Sequence, residues 1–435
     1  MIPENGDTSY YVISDLHIGG DEQLEAVPFL DELLDLLSHL ETTDEDAELI
    51  INGDAFGLWE LTHLEGIDKF DYLVETYPEL FEQFRRTGEH TRITIVPGNH
   101  DHELAAYPEY VDRFADYNVT IVQEPSITRT VADHVVHFEH GHQHDPNNRF
   151  DDWGNPYDTP LGYYYNTHVT SRAGQLSERG RFNWLKDVQA VTPTERLPIW
   201  LLSKYFYREM HPLLRYALIP FLLMFNIALL VAFVGGLHLL GVVLLPVERI
   251  QGFLGGFGLP GTAAWAILVG SMLVAGLLFV IAVPLYLIKR DLGQTIDRFG
   301  VFESDLTVDP DRTYEGAARS IFEEHPDTVV YCFGHTHRPT LRHVDGGVMV
   351  NTGTWLKRLH RRDGIIGVLP PVFYPSYQLA TVHITAEGDG ISVGFVPIEK
   401  SISDDEALTF TERLLTLGRA PNPDLPDGTV IDPGG

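Results

Sequence analysis

Five short apolar runs in this chain end in the same kind of polar cluster, and that repetition limits the folds open to it. "YYVISDLHIGG" ends in Asp15 and His17, and "ELIINGDAFGLWE" in Gly53 and Asp54. "TRITIVPGNHDHE" ends in Gly98, Asn99, His100 and Asp101, "HVVHFEHGHQHD" in His140, Gly141 and His142, and "TVVYCFGHTHRP" in His335 and His337. Runs rich in β-branched and aromatic residues read as strands. Side chains presented from strand ends and the loops that follow form a site on a rigid scaffold. Any one cluster alone is ordinary, since Asp-x-His and Gly-Asp both occur in common turns. Five in one context predict a shared site, and carboxylate, imidazole and amide oxygen are the donors of a metal centre.

In this order the clusters resemble the motifs of the calcineurin-like metallophosphoesterases: D-x-H, GD, GNH(D/E), H and GHxH. The resemblance spans roughly residues 8–145 and 315–400, around a long insertion. It implies an α/β fold, a four-layer α/β/β/α sandwich of two mixed sheets with helices outside. It also implies two divalent metal ions, manganese first, with iron, zinc and cobalt as alternatives. Carried over by motif, Asp15, His17 and His337 hold the first metal, Asn99, His140 and His335 the second, and Asp54 bridges them. His100 becomes the catalytic histidine, and Asp101 either orients it or caps a helix. The implied reaction is attack of a metal-bound hydroxide on a phosphodiester, phosphomonoester or diphosphate.

No arginine follows Gly53-Asp54 closely, which sets aside the protein phosphatase form GDxVDRG. "NGDAFGLW" and "SDLHIGG" are similar to the branch that includes UDP-2,3-diacylglucosamine pyrophosphohydrolases, with Gly57 in place of that motif's second acid. His100 also departs from that branch, where arginine often stands. Lipid-linked and nucleotide-linked diphosphates follow as substrate classes. His142 is expected beside the ligands or in solvent, and His102 and His134 at the surface. Asn351, Thr352 and Thr354 either support the ligand loops or cap the next turn.

The insertion holds two stretches without Asp, Glu, Lys or Arg, one between Arg215 and Glu248 and one between Arg249 and Lys289. A bilayer-spanning helix needs about 20 apolar residues. Two spans are therefore expected near 216–240 and 262–288, as a two-helix transmembrane hairpin. Lys204, Arg208, Arg215, Lys289 and Arg290 flank its ends, and Arg249 beside Glu248 is the loop's one basic residue. Basic flanks stay cytoplasmic. The expected location is the cell membrane, with the catalytic domain and both termini on the cytoplasmic side. The opening twenty residues lack a basic region followed by an apolar stretch, so no signal peptide is expected.

The segments read as 1–145, first part of the catalytic domain; 146–212, a helical cap; 213–290, the hairpin; 291–400, the second part; and 401–435, an acidic helix near 404–417 with a disordered tail. Arg149, Arg172, Arg179 and Arg181 of the cap are either phosphate contacts or solvated. "PPVFYPSY", at 370–377, reads as a rigid loop. The chain carries 62 acidic against 30 basic residues, a formal charge of −32, and only six lysines. That charge opposes nucleic acid as a partner and fits a cytoplasm of very high salt, as in a halophilic archaeon. The expected partners are a phosphorylated small molecule or lipid and the bilayer itself. Cys332 is the single cysteine, which excludes an intrachain disulfide and a cysteine-based zinc site. A nuclease of the same superfamily and a catalytically silent membrane scaffold are the alternatives; the sequence sets no oligomeric state.

Overall fold

Alternation along the strands sorts the side chains into layers. In β1 (Ser9–Ile13), Tyr10 and Val12 face one way and Ile13 the other; in β2 (Ala47–Asn52), Ile50 opposes Leu49 and Ile51. Both strands are therefore apolar on two faces and buried on two faces. Ile13, Leu49 and Ile51, with Ile93 and Ile95 of β3 (Arg92–Val96), pack under helices Leu30–Glu41, Asp68–Thr76, Pro78–Thr87 and Pro108–Ala115. On the other face, Tyr10, Val12 and Ile50 meet Phe138, Val330, Cys332 and Val350 of a second sheet. Beyond that sheet, Tyr331, Phe333 and Met349 pack on Tyr314, Ala317 and Ala318 of the helix Pro310–Glu324. Helices, sheet, sheet and helix thus follow one another across three apolar layers, a mixed α/β fold. The computed structural model describes residues 8–171, 187–191, 196–215, 247–270, 310–365, 367, 369–403, 406–419 and 424–431.

The first sheet has the order β14-β13-β12-β1-β2-β3-β4, with β4 at Val119–Ile121, β12 at Ala380–Glu387, β13 at Gly390–Pro397 and β14 at Thr429–Ile431. Strands β1 to β4 run parallel, and β12 to β14 add antiparallel neighbours. The second has the order β5-β6-β7-β9-β8, over Ser126–Val131, His134–Glu139, Thr328–Phe333, Gly347–Asn351 and Thr340–Val344. Within it β6, β7 and β9 are parallel. Parallel pairing puts the carboxyl ends of β1, β2 and β3 on one rim, and those of β6 and β7 on one rim of the second sheet.

A separate ribbon pairs β10 (Arg358–Arg362) with β11 (Val372–Ser376). This corrects the reading of 370–377 as a loop. Pro375 lies opposite Leu359 in a two-stranded ribbon, where an outer edge leaves room for a residue without N–H. The ribbon is the seat of the inserted segment. Trp200 of the helix Leu197–Lys204 packs on Phe373, and Phe206 and Tyr207 pack on Val372 and Tyr374. The hydroxyls of Ser203 and Tyr207 donate to the carbonyls of Pro371 and Pro370 at 2.7 and 2.6 Å.

The C-terminal helix is shorter than expected, Phe410–Thr416, and opens on a capping box between Thr409 and Glu412. The tail is not structureless throughout: Thr429–Ile431, a β-branched run, pairs with β13. Of the expected membrane spans, 216–240 lies outside the described residues, and only 262–270 of the second lies within them. Among the described residues no helix is long and apolar enough to cross a membrane. Arg172, Arg179 and Arg181 also lie outside them, whereas Arg149 is exposed, 4.0 Å from Asp151.

Candidate metal centre

The five clusters meet at the carboxyl ends of β1, β2, β3, β6 and β7. Asp15, His17, Asp54, His335 and His337 all adopt left-handed backbone, at φ 53, 47, 51, 65 and 56. Each such residue costs roughly 1–2 kcal/mol relative to ordinary backbone. Strain gathered in one place is a mark of a functional site.

Three groups of ligand-type atoms result: Asp15, His17 and His337; His17, Asp54 and His100; and Asp54, His140 and His335, the atoms of each within 4.8 Å of one another. His337 Nε2 lies 3.0 Å from Asp15 Oδ1 and 3.3 Å from His17 Nε2. Asp54 Oδ2 lies 3.1 Å from His140 Nε2 and 3.6 Å from His17 Nε2, so one carboxylate oxygen reaches both sides. Asn99 is buried one residue before His100, whose N–H donates to Asp54 Oδ1 at 2.8 Å. All seven residues expected as ligands therefore lie at one rim.

The donor set fits divalent metal ions. Asn99 Oδ1 is buried and makes no hydrogen bond, a costly state for a polar atom with no ligand to meet. His140 Nδ1 is 3.0 Å from the carbonyl of Asn52, which assigns the proton to Nδ1 and leaves Nε2 as a lone-pair donor. Gly98 lets Asp54 in, because a Cβ there would fall 2.2 Å from Asp54 Oδ1. Without metal, the cluster balances its own charge. Burial raises the Asp54 and Asp15 carboxyls, but neighbouring histidines, chiefly His140 for Asp54 and His337 for Asp15, hold them low. Burial lowers His140, yet Asp54 and Asp15 raise it to about 10. Burial and His100 push His17 down to about 4, the neutral form a ligand needs.

The loop after β9 supports the ligands as one of its expected roles required. Thr354 Oγ1 donates to the carbonyl of Asp15 at 2.8 Å, and Asn351 Nδ2 to that of Gly334 at 2.5 Å. Thr352 Oγ1 and Ser14 Oγ lie 2.5 Å apart, and Ser14 also bonds the Asp15 carboxylate. Thr354 fills its other expected role too, accepting from Leu356 N–H at 3.1 Å.

His100 has a different partner from the one expected. Its Nδ1 lies 2.9 Å from Glu60 Oε1, which also accepts from Asn166 Nδ2 at 2.8 Å. Burial lowers His100, but the Glu60 and Asp54 carboxylates outweigh it and raise the ring to about 9. Trp59 covers it at 4.4 Å between ring centroids. Asp101 instead accepts from the N–H groups of Gly98 and Phe56, at 2.6 and 3.2 Å, and so ties the loop after β3 to the loop after β2. Burial and Asp54 raise its carboxyl to about 7.

His142 lies beside the ligands, one of its two expected places, at 5.6 Å from His140 between ring centroids, and His102 is not the surface residue expected. His142 is fully buried, neither of its nitrogens has a hydrogen-bond partner, and its ring stacks on Trp153 at 5.2 Å. Burial, with His140 and His335 beyond it, holds that imidazole well below the usual range. His102 stacks on Phe150 at 3.8 Å, and its Nε2 accepts from Gly154 N–H at 3.2 Å. Asp145, five residues after His140, was not singled out in the sequence. Its Oδ2 lies 3.1 Å from His335 Nε2, and despite burial the His335 ring helps to hold the carboxyl at about 2.

Carboxylates and imidazoles gathered on strained strand ends make a donor set suited to metal ions. The family model described as calcineurin-like phosphoesterase matches residues 8–221, and that part of the chain belongs to the family. The match includes Asp15 through His140 and ends before His335 and His337. None of the curated proteins compared matches the chain. A single mutant of Vps29 from Entamoeba histolytica is 9% identical, covers 89% of this chain and 92% of its own, and has a TM-score of 0.27. Phosphopantetheinyl hydrolase from Mycobacterium tuberculosis is 10% identical over 80% of this chain and 90% of its own, with a TM-score of 0.25. At those scores neither likeness carries weight for fold or function.

Proposed function

We propose that the chain is a membrane-held, dinuclear metal-dependent hydrolase of phosphoric esters. Its substrate would be a phosphodiester, phosphomonoester or diphosphate, lipid-linked or nucleotide-linked. The observation that carries this reading is the position of Asp54 Oδ2, 3.6 Å from His17 Nε2 of the group Asp15–His17–His337 and 3.1 Å from His140 Nε2 of the group Asp54–His140–His335. Those residues, with Asn99, would hold the ions. Two divalent ions so placed supply Lewis-acid charge for the phosphoryl oxygens and activate a water.

The chain's own residues do the rest. Glu60 and Asn166 fix the His100 ring, and Nδ1 is committed to Glu60, so Nε2 is the nitrogen that faces substrate. A ring raised to about 9 is an imidazolium at neutral pH and can donate a proton to the departing oxygen. Trp59 and the inserted residue Tyr163, 5.5 Å apart between rings, shield that side from water.

Support for the membrane comes from the two charge-free stretches of the insertion. The described residues at the start of the second stretch expose apolar groups: Phe253, Phe257 and Leu259 are 68, 61 and 87% accessible. The test begins with the full chain, purified in detergent at high salt, and counts metal by elemental analysis. Hydrolysis of bis-p-nitrophenyl phosphate and p-nitrophenyl phosphate is then compared with that of Asp54→Asn. Two metals per chain and activity abolished in the variant are expected. A chain that takes up no manganese, iron, zinc or cobalt overturns the reading. Recovery of the chain in the salt-washed soluble fraction, not the membrane pellet, overturns its membrane part.

A further inference from the structure

Among the described residues, Arg196, Arg338 and Arg358 pair with no carboxylate, in a chain where acidic residues outnumber basic ones by 62 to 30. Arg358 opens β10, and its guanidinium donates to the backbone carbonyl of His337. Arg338 follows His337 directly. Arg196 precedes the helix Leu197–Lys204, whose Leu197 packs in one cluster with Leu359, the neighbour of Arg358. His360 is two residues beyond Arg358, hence on the same face of β10, and its buried Nε2 has no hydrogen-bond partner.

These groups repel one another. Arg338 and Arg196 lie close enough to act on Arg358, and Arg358 and Arg196 close enough to act on His360. Among the described residues, no carboxylate pairs with any of the three arginines. Arginines elsewhere do find acids: Arg129 grips Glu48 through two bonds of 2.9 Å, and Arg342 reaches Asp311 and Glu315, each at 2.9 Å. Clustered, partly buried cations destabilise a fold unless an anion joins them. Guanidinium groups suit phosphoryl oxygens, which they bind through paired N–H donors.

We infer that Arg196, Arg338, Arg358 and His360 form a second anion subsite next to the metal centre, and that the substrate is an organic diphosphate. The inference rests on the phosphoesterase reading and narrows it. The attacked phosphoryl group lies at the metal ligands, and the other lies on the arginines. One water is consumed. Its oxygen bonds to the attacked phosphorus, and the bond from that phosphorus to the bridging oxygen breaks. The bridging oxygen stays on the second phosphoryl group. The water's two protons end on the two phosphomonoester products or in solvent.

The test compares the full chain with Arg196→Gln/Arg338→Gln. Both side chains are exposed and neither is a ligand, so the fold should survive. Two substrates are used with the metal-loaded protein: bis-p-nitrophenyl phosphate, with one phosphoryl group, and ADP-ribose, with two. Binding of ADP-ribose to metal-stripped protein is measured by calorimetry. The double variant is expected to lose roughly tenfold or more in kcat/KM and in binding for ADP-ribose, and less than about twofold for the monophosphate diester. An equal loss on both substrates, or none on ADP-ribose, overturns the subsite. Native chain that cleaves the diester but neither cleaves nor binds ADP-ribose overturns it too, with the phosphoesterase reading intact. Metal-loaded chain that cleaves neither substrate removes the reading beneath it.

Discussion

Gly53 packs directly against the buried His140, so Gly53→Ala tests the metal centre directly. An ideal Cβ at this position falls 2.1 Å from His140 Nδ1, about 1.3 Å short of ordinary contact at 3.4 Å. The contact is with a ring that is fully buried and fixed to Asn52, so the imidazole has little room to swing away. Ligand distances in a metal site hold to about 0.2 Å, far less than the displacement required. The glycine's own φ of 92 adds backbone strain of roughly 1–2 kcal/mol for an alanine. The second metal should therefore be lost, with affinity down by more than about 100-fold. The group of Asp15, His17 and His337 is untouched, so elemental analysis after dialysis should find one metal per chain in place of two. Gly388→Ala is the control. It has φ 64 in the turn between β12 and β13, with nothing within 4 Å of the added Cβ. It should lose some stability and keep both metals. A Gly53→Ala protein that retains two metals at unchanged affinity would refute the placement of His140.

Glu60→Gln should move the alkaline limb of the kcat/KM profile downward by about one pH unit, because Glu60 is the leading cause of His100's raised pKa. The same profile in Asp101→Asn should keep its limb while thermal stability falls, since Asp101 ties two loops together and does not touch His100. Metal-stripped protein should lose stability as pH rises from about 6.5 toward 10. His140 is raised in the folded state, so its contribution is full below its unfolded pKa and disappears as pH passes through about 10. Thermal melts across that range should show the decline, and metal loading should flatten it. Arg129→Met should cost roughly 3 kcal/mol in a denaturant titration, because it leaves Glu48, 1% exposed, without its bidentate partner.

The strands and the meeting of the expected ligands at one rim were readable because both depend on local pattern. Apolar alternation marks β1, β2, β3, β6 and β7, and each ligand sits at a fixed offset from a strand end. What escaped depends on contacts across the chain. Glu60 meets His100 only because the loop after β2 folds over the loop after β3, and Asn166 arrives from the insertion, 106 residues from Glu60. The Asp-rich surroundings of Asp145 hid its pairing with His335. His102 looked exposed because polar residues flank it in "NHDHE", whereas His142 takes one of its two expected places, beside the ligands. Phe150 and Trp153, from the start of the insertion, cover them in the fold. Pro375 disguised β11 as a loop, although "VFY" has the residue types of a strand.

His17 and His337 lie 320 residues apart in the sequence and 3.3 Å apart in space. A metal held between them would close that 320-residue loop, of a 435-residue chain, into a ring. In a disulfide, closing a loop of that length restricts the unfolded chain by about 5–6 kcal/mol on the chain-entropy model. This chain has one cysteine and can make no such bond within itself. The metal centre would then serve as its cross-link. Chelation would loosen the two ends together, and the protein's thermal resistance would follow the supply of metal as closely as its chemistry does.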